Sequence, residues 1–138
     1  MTKWYMGDNS INYSQTKFRH SYSAPGTYKV NLVVTLKNNC VDSFSNNIVI
    51  YPVPNVKLVQ NNKSASICNN TNAFTFYDSS TIIGSGSLSS RWFVSDGSYS
   101  TANPLVKSFP SAGKFWIRLV SRSGKGCESS DSTQIEIY

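Results

Sequence analysis

A long internal period constrains this chain more than any other feature, because it sets the number of folding units before a single strand is assigned. Tyr22-Ser23-Ala24-Pro25-Gly26-Thr27-Tyr28-Lys29-Val30-Asn31-Leu32 returns as Phe109-Pro110-Ser111-Ala112-Gly113-Lys114-Phe115-Trp116-Ile117-Arg118-Leu119. Tyr22 and Phe109, Gly26 and Gly113, Cys40 and Cys127, and Tyr51 and Tyr138 all stand 87 positions apart. Trp4-Tyr5-Met6-Gly7-Asp8-Asn9 returns 88 positions later as Trp92-Phe93-Val94-Ser95-Asp96-Gly97, so one residue of loop separates the two registers. A chain of 138 residues holds one domain or two small ones. The repeat favours two, residues 1–52 and 53–138, joined by Pro52-Val53-Pro54-Asn55. Two prolines in three residues disfavour helix and favour a short, stiff connection.

The apolar pattern has period two. Tyr28, Val30, Leu32, Val34 and Leu36 alternate with Lys29, Asn31, Val33, Thr35 and Lys37, which predicts a strand with one buried and one wet face. Trp4 and Met6 share a face and Tyr5 takes the other, because successive side chains of a strand alternate. Further strands are expected over residues 16–22 and 40–51 in the first repeat. In the second they are expected over 56–59, 73–77, 88–95, 105–109, 114–122 and 127–138. Gly7-Asp8-Asn9-Ser10, Asp96-Gly97 and Gly124-Lys125-Gly126 are turn chemistry. No segment shows helical periodicity, and several short strands at regular spacing predict an all-β class, two small sandwiches of which the first starts mid-domain.

Composition agrees with an exported all-β protein. Charged residues are 14%, below the usual quarter, and the net charge of +6 divides into +3 for residues 1–52 and +3 for 53–138. The basic residues are scattered, without a run or a nucleic-acid motif, so no nucleic-acid partner is expected. No apolar run approaches the ~20 residues of a membrane span. Cys68 precedes the first core strand of the second repeat and Cys127 opens the last, an arrangement that suggests a disulfide; three reduced thiols are the alternative. The position equivalent to Cys68 in the first repeat falls before residue 1, which leaves Cys40 without a partner. Met1 runs almost directly into a core-strand tryptophan, and the chain is expected to be a piece of a longer exported protein.

The residues named so far resemble the PKD domain, an immunoglobulin-like module. The family pattern is roughly Trp-x-Phe-Gly-Asp-Gly, then His-x-Tyr-x-x-x-Gly-x-Tyr-x-Val-x-Leu, then often Gly-Cys. The first repeat matches it with Trp4, Gly7, Asp8, His20, Tyr22, Gly26, Tyr28, Val30, Leu32 and Cys40, and departs at Met6 and Asn9. The second matches with Trp92, Asp96, Gly97, Gly113, Leu119, Gly126 and Cys127, and conservatively with Phe109, Phe115 and Ile117. It departs at Ser95, and Lys107 replaces the histidine. The resemblance implies a spacer or ligand-contact module of a large surface protein, most like those of adhesins of gliding bacteria. It also implies two strands ahead of each tryptophan strand. The second repeat has them within residues 55–77 and the first does not. Another part of a longer protein, another copy or a separate subunit is expected to supply them.

Catalysis has little to build on. His20 is the only histidine, and the scattered serines have no base partner. The seven acidic residues form no visible pair of the kind that glycoside hydrolysis uses. Asp8 and Asp96 read as turn caps, with calcium as the lesser alternative, since calcium wants six to eight oxygens. Asn12, Asn62 and Asn69 open Asn-x-Ser/Thr triplets, which arise by chance in a chain this rich in Asn and Ser. No cofactor is expected. The more informative feature is a surface. The alternation that buries Trp92 and Phe115 sends Phe93, Trp116 and Arg118 outward, and the same construction puts Tyr5 near Lys29 and Val33. An exposed aromatic beside arginine suits a polysaccharide or a protein partner. The expected role is thus a non-enzymatic adhesive or spacing module at the cell surface. Two alternatives are an accessory substrate-binding module of a secreted protease or glycoside hydrolase, and a subunit of a strand-exchanged filament.

Overall fold

A computed structural model describes residues 1–61, 66–67, 73–84 and 86–138. Those residues form strands and turns, with no helix among them. Met1–Pro52 is one compact unit and Val53–Tyr138 is another.

The first unit is a single antiparallel sheet. Its strands are β1 (Thr2–Tyr5), β2 (Ile11–Asn12), β3 (Gly26–Thr35) and β4 (Val41–Ile50), in the order β2-β1-β3-β4. The β-branched run of β3 drives the pairing, which continues unbroken from Gly26↔Ile50 to Thr35↔Val41. Asn39 closes this hairpin at φ 63°, a left-handed conformation that asparagine tolerates well.

The second unit has two sheets. The strands β5 (Leu58–Gln60), β7 (Phe74–Asp78) and β10 (Leu105–Lys107) make a three-stranded sheet in the order β10-β7-β5. The others are β6 (Ser66–Ile67), β8 (Leu88–Val94), β9 (Tyr99–Ser100), β11 (Gly113–Ser123) and β12 (Glu128–Ile137). They form a five-stranded sheet in the order β6-β12-β11-β8-β9. Among the described strands only β6 runs parallel to its neighbour, β12. The core lies between the sheets. Phe74, Phe76 and Leu105 meet Trp92, Val94, Ile117, Leu119, Ile135 and Ile137, and Phe109 fills one end. Ser121 interrupts the apolar row without cost, since its hydroxyl bonds Ser90 Oγ at 2.8 Å and donates to Ser80 Oγ at 3.2 Å.

The repeat is carried into the strand pairing. Trp4 lies opposite Leu32 and Asn12, and Trp92 lies opposite Leu119 and Ser100. Gly26 faces Ile50 as Gly113 faces Ile137. Thus β2-β1-β3-β4 and β9-β8-β11-β12 share one strand order and one register. Their surroundings differ. Leu119 and Ile135 are fully buried, whereas their counterparts Leu32 and Ile48 are half-buried and exposed; Phe44, on the same inner row, is 71% exposed. Complete burial of one such side chain stabilises by about 1.5–3 kcal/mol. A row left open therefore forgoes several kcal/mol, a sizeable share of the ~5–15 kcal/mol that holds a domain together.

One expected strand is absent. Residues 16–22 form no strand. Their counterparts include β10, which pairs with β7 (Leu105↔Phe76, Val106↔Thr75 and Lys107↔Phe74). The described residues of the first unit contain no counterpart of β7, so this segment has no edge to join. Elsewhere the strands shift by a residue or two: the first strand of the second unit is Leu58–Gln60 rather than 56–59, and β10 stops at Lys107. Cys127 is half-buried, with its N–H donated to Ser123 Oγ at 3.1 Å. Cys68, and with it the expected bridge to Cys127, lies outside the described residues, as do Asn62 and Asn69.

Candidate functional site

Twin turns frame the sheets. In the first unit, Asp8 Oδ1 accepts hydrogen bonds from the Ser10 N–H at 3.0 Å and from the Ser10 hydroxyl. Its Oδ2 meets His20 Nε2 at 2.7 Å. In the second, Asp96 Oδ1 accepts from the Ser98 N–H at 2.9 Å and from Ser98 Oγ at 2.6 Å, and Oδ2 meets Lys107 Nζ at 2.7 Å. Hydrogen bonds from Ser10 and then His20 hold the Asp8 carboxyl down to about 2. For Asp96, Lys107 is the larger cause and Ser98 the next, again to about 2. Both oxygens of each carboxylate are thus engaged, one by the turn serine and the other by His20 or Lys107. Among the described residues no three His, Cys, Asp or Glu side chains gather as a metal would need.

The tyrosine–glycine stretch is structural in both copies. Tyr22 stacks on Tyr28 at 4.0 Å between ring centroids, and Phe109 stacks on Phe115 at 4.2 Å. The Tyr22 hydroxyl donates to the Met6 carbonyl at 2.8 Å, and burial is the main reason its pKa is raised. Trp4 Nε1 donates to the Ser14 carbonyl at 3.1 Å, as Trp92 Nε1 does to Ala102 at 2.9 Å. Gly26 and Gly113 open β3 and β11. Gly97, at φ 88°, takes the left-handed turn position that Asn9 holds at 72° in the first unit.

The outward residues assemble a face on the second unit. Phe93 and Trp116 are exposed, and Phe93 lies directly opposite Arg118. Trp116 stands one row further along, where its backbone N–H donates to Ser95 Oγ at 3.0 Å. The two aromatics are therefore diagonal neighbours on the adjacent strands β8 and β11 rather than a facing pair. Tyr99, 74% exposed and opposite Phe93 on β9, adds a third ring that the period-two reading missed because β9 has only two residues. Arg91 and Arg122 lie on the same face, and a shallow depression runs between Arg91, Phe93, Val120 and Arg122. The 88-residue offset from Ile11 was the available signal for Tyr99. In the first unit Tyr5 pairs with Asn31, so Lys29 and Val33 flank it diagonally. Lys3 Nζ sits 5.0 Å from the Tyr5 ring centroid and 5.8 Å from that of Tyr13. Rings and cations alternating on a flat sheet can stack on sugar faces and pair with anionic groups.

A strand order and register of this kind, closed by a second sheet in residues 53–138, define an immunoglobulin-like β-sandwich module. Residues 1–50 match the family model of the PKD domain. The PKD1 domain from Vibrio cholerae metalloprotease PrtV is 19% identical, with a TM-score of 0.50 over 64% of this chain and 98% of that one. The PKD1 domain of Vibrio anguillarum Epp is 16% identical, with a TM-score of 0.50 over 62% of this chain and 93% of that one. These likenesses concern the fold. None of the curated proteins compared with this chain matches it.

Proposed function

We propose that this chain is a non-enzymatic extracellular pair of PKD-type domains, residues 1–52 and 53–138, that spaces and contacts partners within a larger bacterial surface protein. The observation that carries the contact role is the exposed aromatic and arginine face of the second unit: Tyr99, Phe93 and Trp116 around Arg118. Exposed rings on a rigid sheet lose little entropy on binding, and arginine beside them selects acidic or polar ligands. The ligand class is an acidic polysaccharide or a protein surface rich in carboxylates, which also suits the net charge of +6.

The test is a binding titration of the full chain against an acidic and a neutral polysaccharide, with the Trp116→Ala and Arg118→Ala variants alongside. The acidic polymer should bind more tightly, and each variant should weaken it by about tenfold, the equivalent of ~1.4 kcal/mol. Binding that ignores both substitutions would reject the face. A second reading, an accessory module of a protease, is favoured by the metalloprotease origin of one structural neighbour. It predicts that the same face binds denatured protein rather than polysaccharide.

A further inference from the structure

The contact face of the second unit is not uniform along its length. Across β8, β11 and β12 the first outward row holds Ser89, Arg122 and Glu128, the next Arg91, Val120 and Ser130, and the third Phe93, Arg118 and Ser132. Arg118 Nη2 donates to Ser130 Oγ at 3.3 Å, so that guanidinium is tied to the neighbouring strand. Arg91 and Arg122 are different. Among the described residues no hydrogen bond, ion pair or ring contact engages either guanidinium, and Glu128 stands opposite Arg122 without forming an ion pair with it.

Arg91 and Arg122 are diagonal neighbours on β8 and β11. Such positions lie about 7–8 Å apart, within reach of long side chains. Two like charges at that spacing repel, and a single anion held between them replaces the repulsion with two attractions. Between them lies a depression of about 210 Å³, of a size to seat one sugar ring, to which Ser89, Phe93, Thr101 and Glu128 also contribute. The guanidinium fork matches a planar carboxylate. Phe93 offers a ring face for stacking, and Glu128 an acceptor for sugar hydroxyls. The Glu128 carboxylate also repels a second negative charge on the same ring. A densely sulfated chain therefore fits worse than one with a single carboxylate per sugar. An acidic peptide side chain brings its carboxylate on an apolar stem, with no hydroxyls for Glu128.

We propose that this depression is the subsite for one uronate residue of an acidic polysaccharide. The carboxylate lies between Arg91 and Arg122, the sugar ring stacks on Phe93, and a ring hydroxyl donates to Glu128. The subsite rests on the contact face proposed above and narrows its ligand to a polymer with one carboxylate per sugar. Trp116 and Arg118 then serve the neighbouring sugars of the same chain, one and two rows further along the sheet.

The test titrates the full chain with polygalacturonate at fixed salt, beside its methyl ester, dextran sulfate and polyglutamate. Polygalacturonate should bind most tightly. Arg91→Gln and Arg122→Gln should each weaken it by about tenfold, a loss of ~1.4 kcal/mol, and leave binding of the methyl ester unchanged. Lys57→Gln removes the same charge just ahead of β5, off this face, and should change little. Glu128→Gln should narrow the preference for polygalacturonate over dextran sulfate. All four positions are exposed, so unchanged urea midpoints are expected and confirm that the variants fold. The proposal is overturned if polygalacturonate does not bind, or if the two arginine variants weaken it no more than Lys57→Gln does. Tighter binding of dextran sulfate would reduce the site to general charge attraction, and tighter binding of polyglutamate would make the partner a protein; either overturns it. Trp116→Ala should weaken polygalacturonate and its methyl ester alike. A loss at Trp116 with none at Arg91 and Arg122 therefore rejects the subsite and keeps the contact face, whereas the reverse pattern keeps the subsite and rejects the wider face.

Discussion

The sheet β2-β1-β3-β4 of the first unit and the sheet β9-β8-β11-β12 of the second agree strand for strand and register for register, yet among the described residues only the second has a closed core. Trp92 is 1% exposed, while Trp4 is half-buried; Ile137 is buried, while Ile50 is half-buried. The hydrogen-bonded ladder is therefore indifferent to what covers it, whereas burial depends wholly on the opposing sheet. Local pattern and turn chemistry suffice to build the sheet, and packing against a second layer adds most of the stability.

The sharpest way to break this comparison is to truncate the paired tryptophans. Trp92→Ala should cost about 3–5 kcal/mol in urea unfolding of the full chain, as expected for a large buried aromatic. Trp4→Ala should cost no more than about half of that. Equal costs would mean that the first unit's inner face is closed in solution. Next in size is the turn before β2. A Cβ on Gly7 would stand 2.8 Å from both the N and O atoms of Lys29, at φ 83°, so Gly7→Ala combines a backbone clash with strain. It should destabilise by about 2–3 kcal/mol, whereas Gly97→Ala meets nothing within 4 Å and should cost only ~1 kcal/mol of left-handed strain. Thermal unfolding of the two variants checks the order.

Acid should sharpen the comparison further. Asp8 and Asp96 are both held at about 2 in the folded chain, below the ordinary 3.8. Their stabilisation is complete above the unfolded value and is lost as pH falls from about 4 through 2. Urea midpoints should therefore fall over that window, and Asp8→Asn or Asp96→Asn should each flatten the slope. At neutral pH Asp96→Asn should be the costlier change, because it strands the half-buried Lys107 ammonium; His20 is charged only when protonated. The smallest effect belongs to the outer face. Trp116→Ala should alter stability by less than about 0.5 kcal/mol, since its ring is exposed and only its backbone N–H is engaged. A larger loss by calorimetry would make that ring a packing residue.

Much of this architecture could be read from the chain alone, for reasons visible at particular residues. Tyr28, Val30, Leu32 and Val34 alternate cleanly enough to identify β3, and the 87-residue offset carries the same assignment to β11. The Asp8 and Asp96 turns announce themselves by composition. The segment 16–22 was misread because its residues suit a strand while its partner strand is missing, and pairing is a long-range property. The candidate face was legible at Phe93, Trp116 and Arg118, whose outward direction follows from alternation. Tyr99 was not legible from alternation, because two residues on an edge strand show no period; only the 88-residue offset from Ile11 points to it.

Side-chain alternation and turn residues thus determined most of the strands, their hairpins and which face each side chain takes, because these are settled within a few residues of sequence. Which face became a core was decided only in three dimensions. It depends on whether β5, β7 and β10 lie across the sheet, and no local pattern in β3 or β11 distinguishes a covered row from an open one.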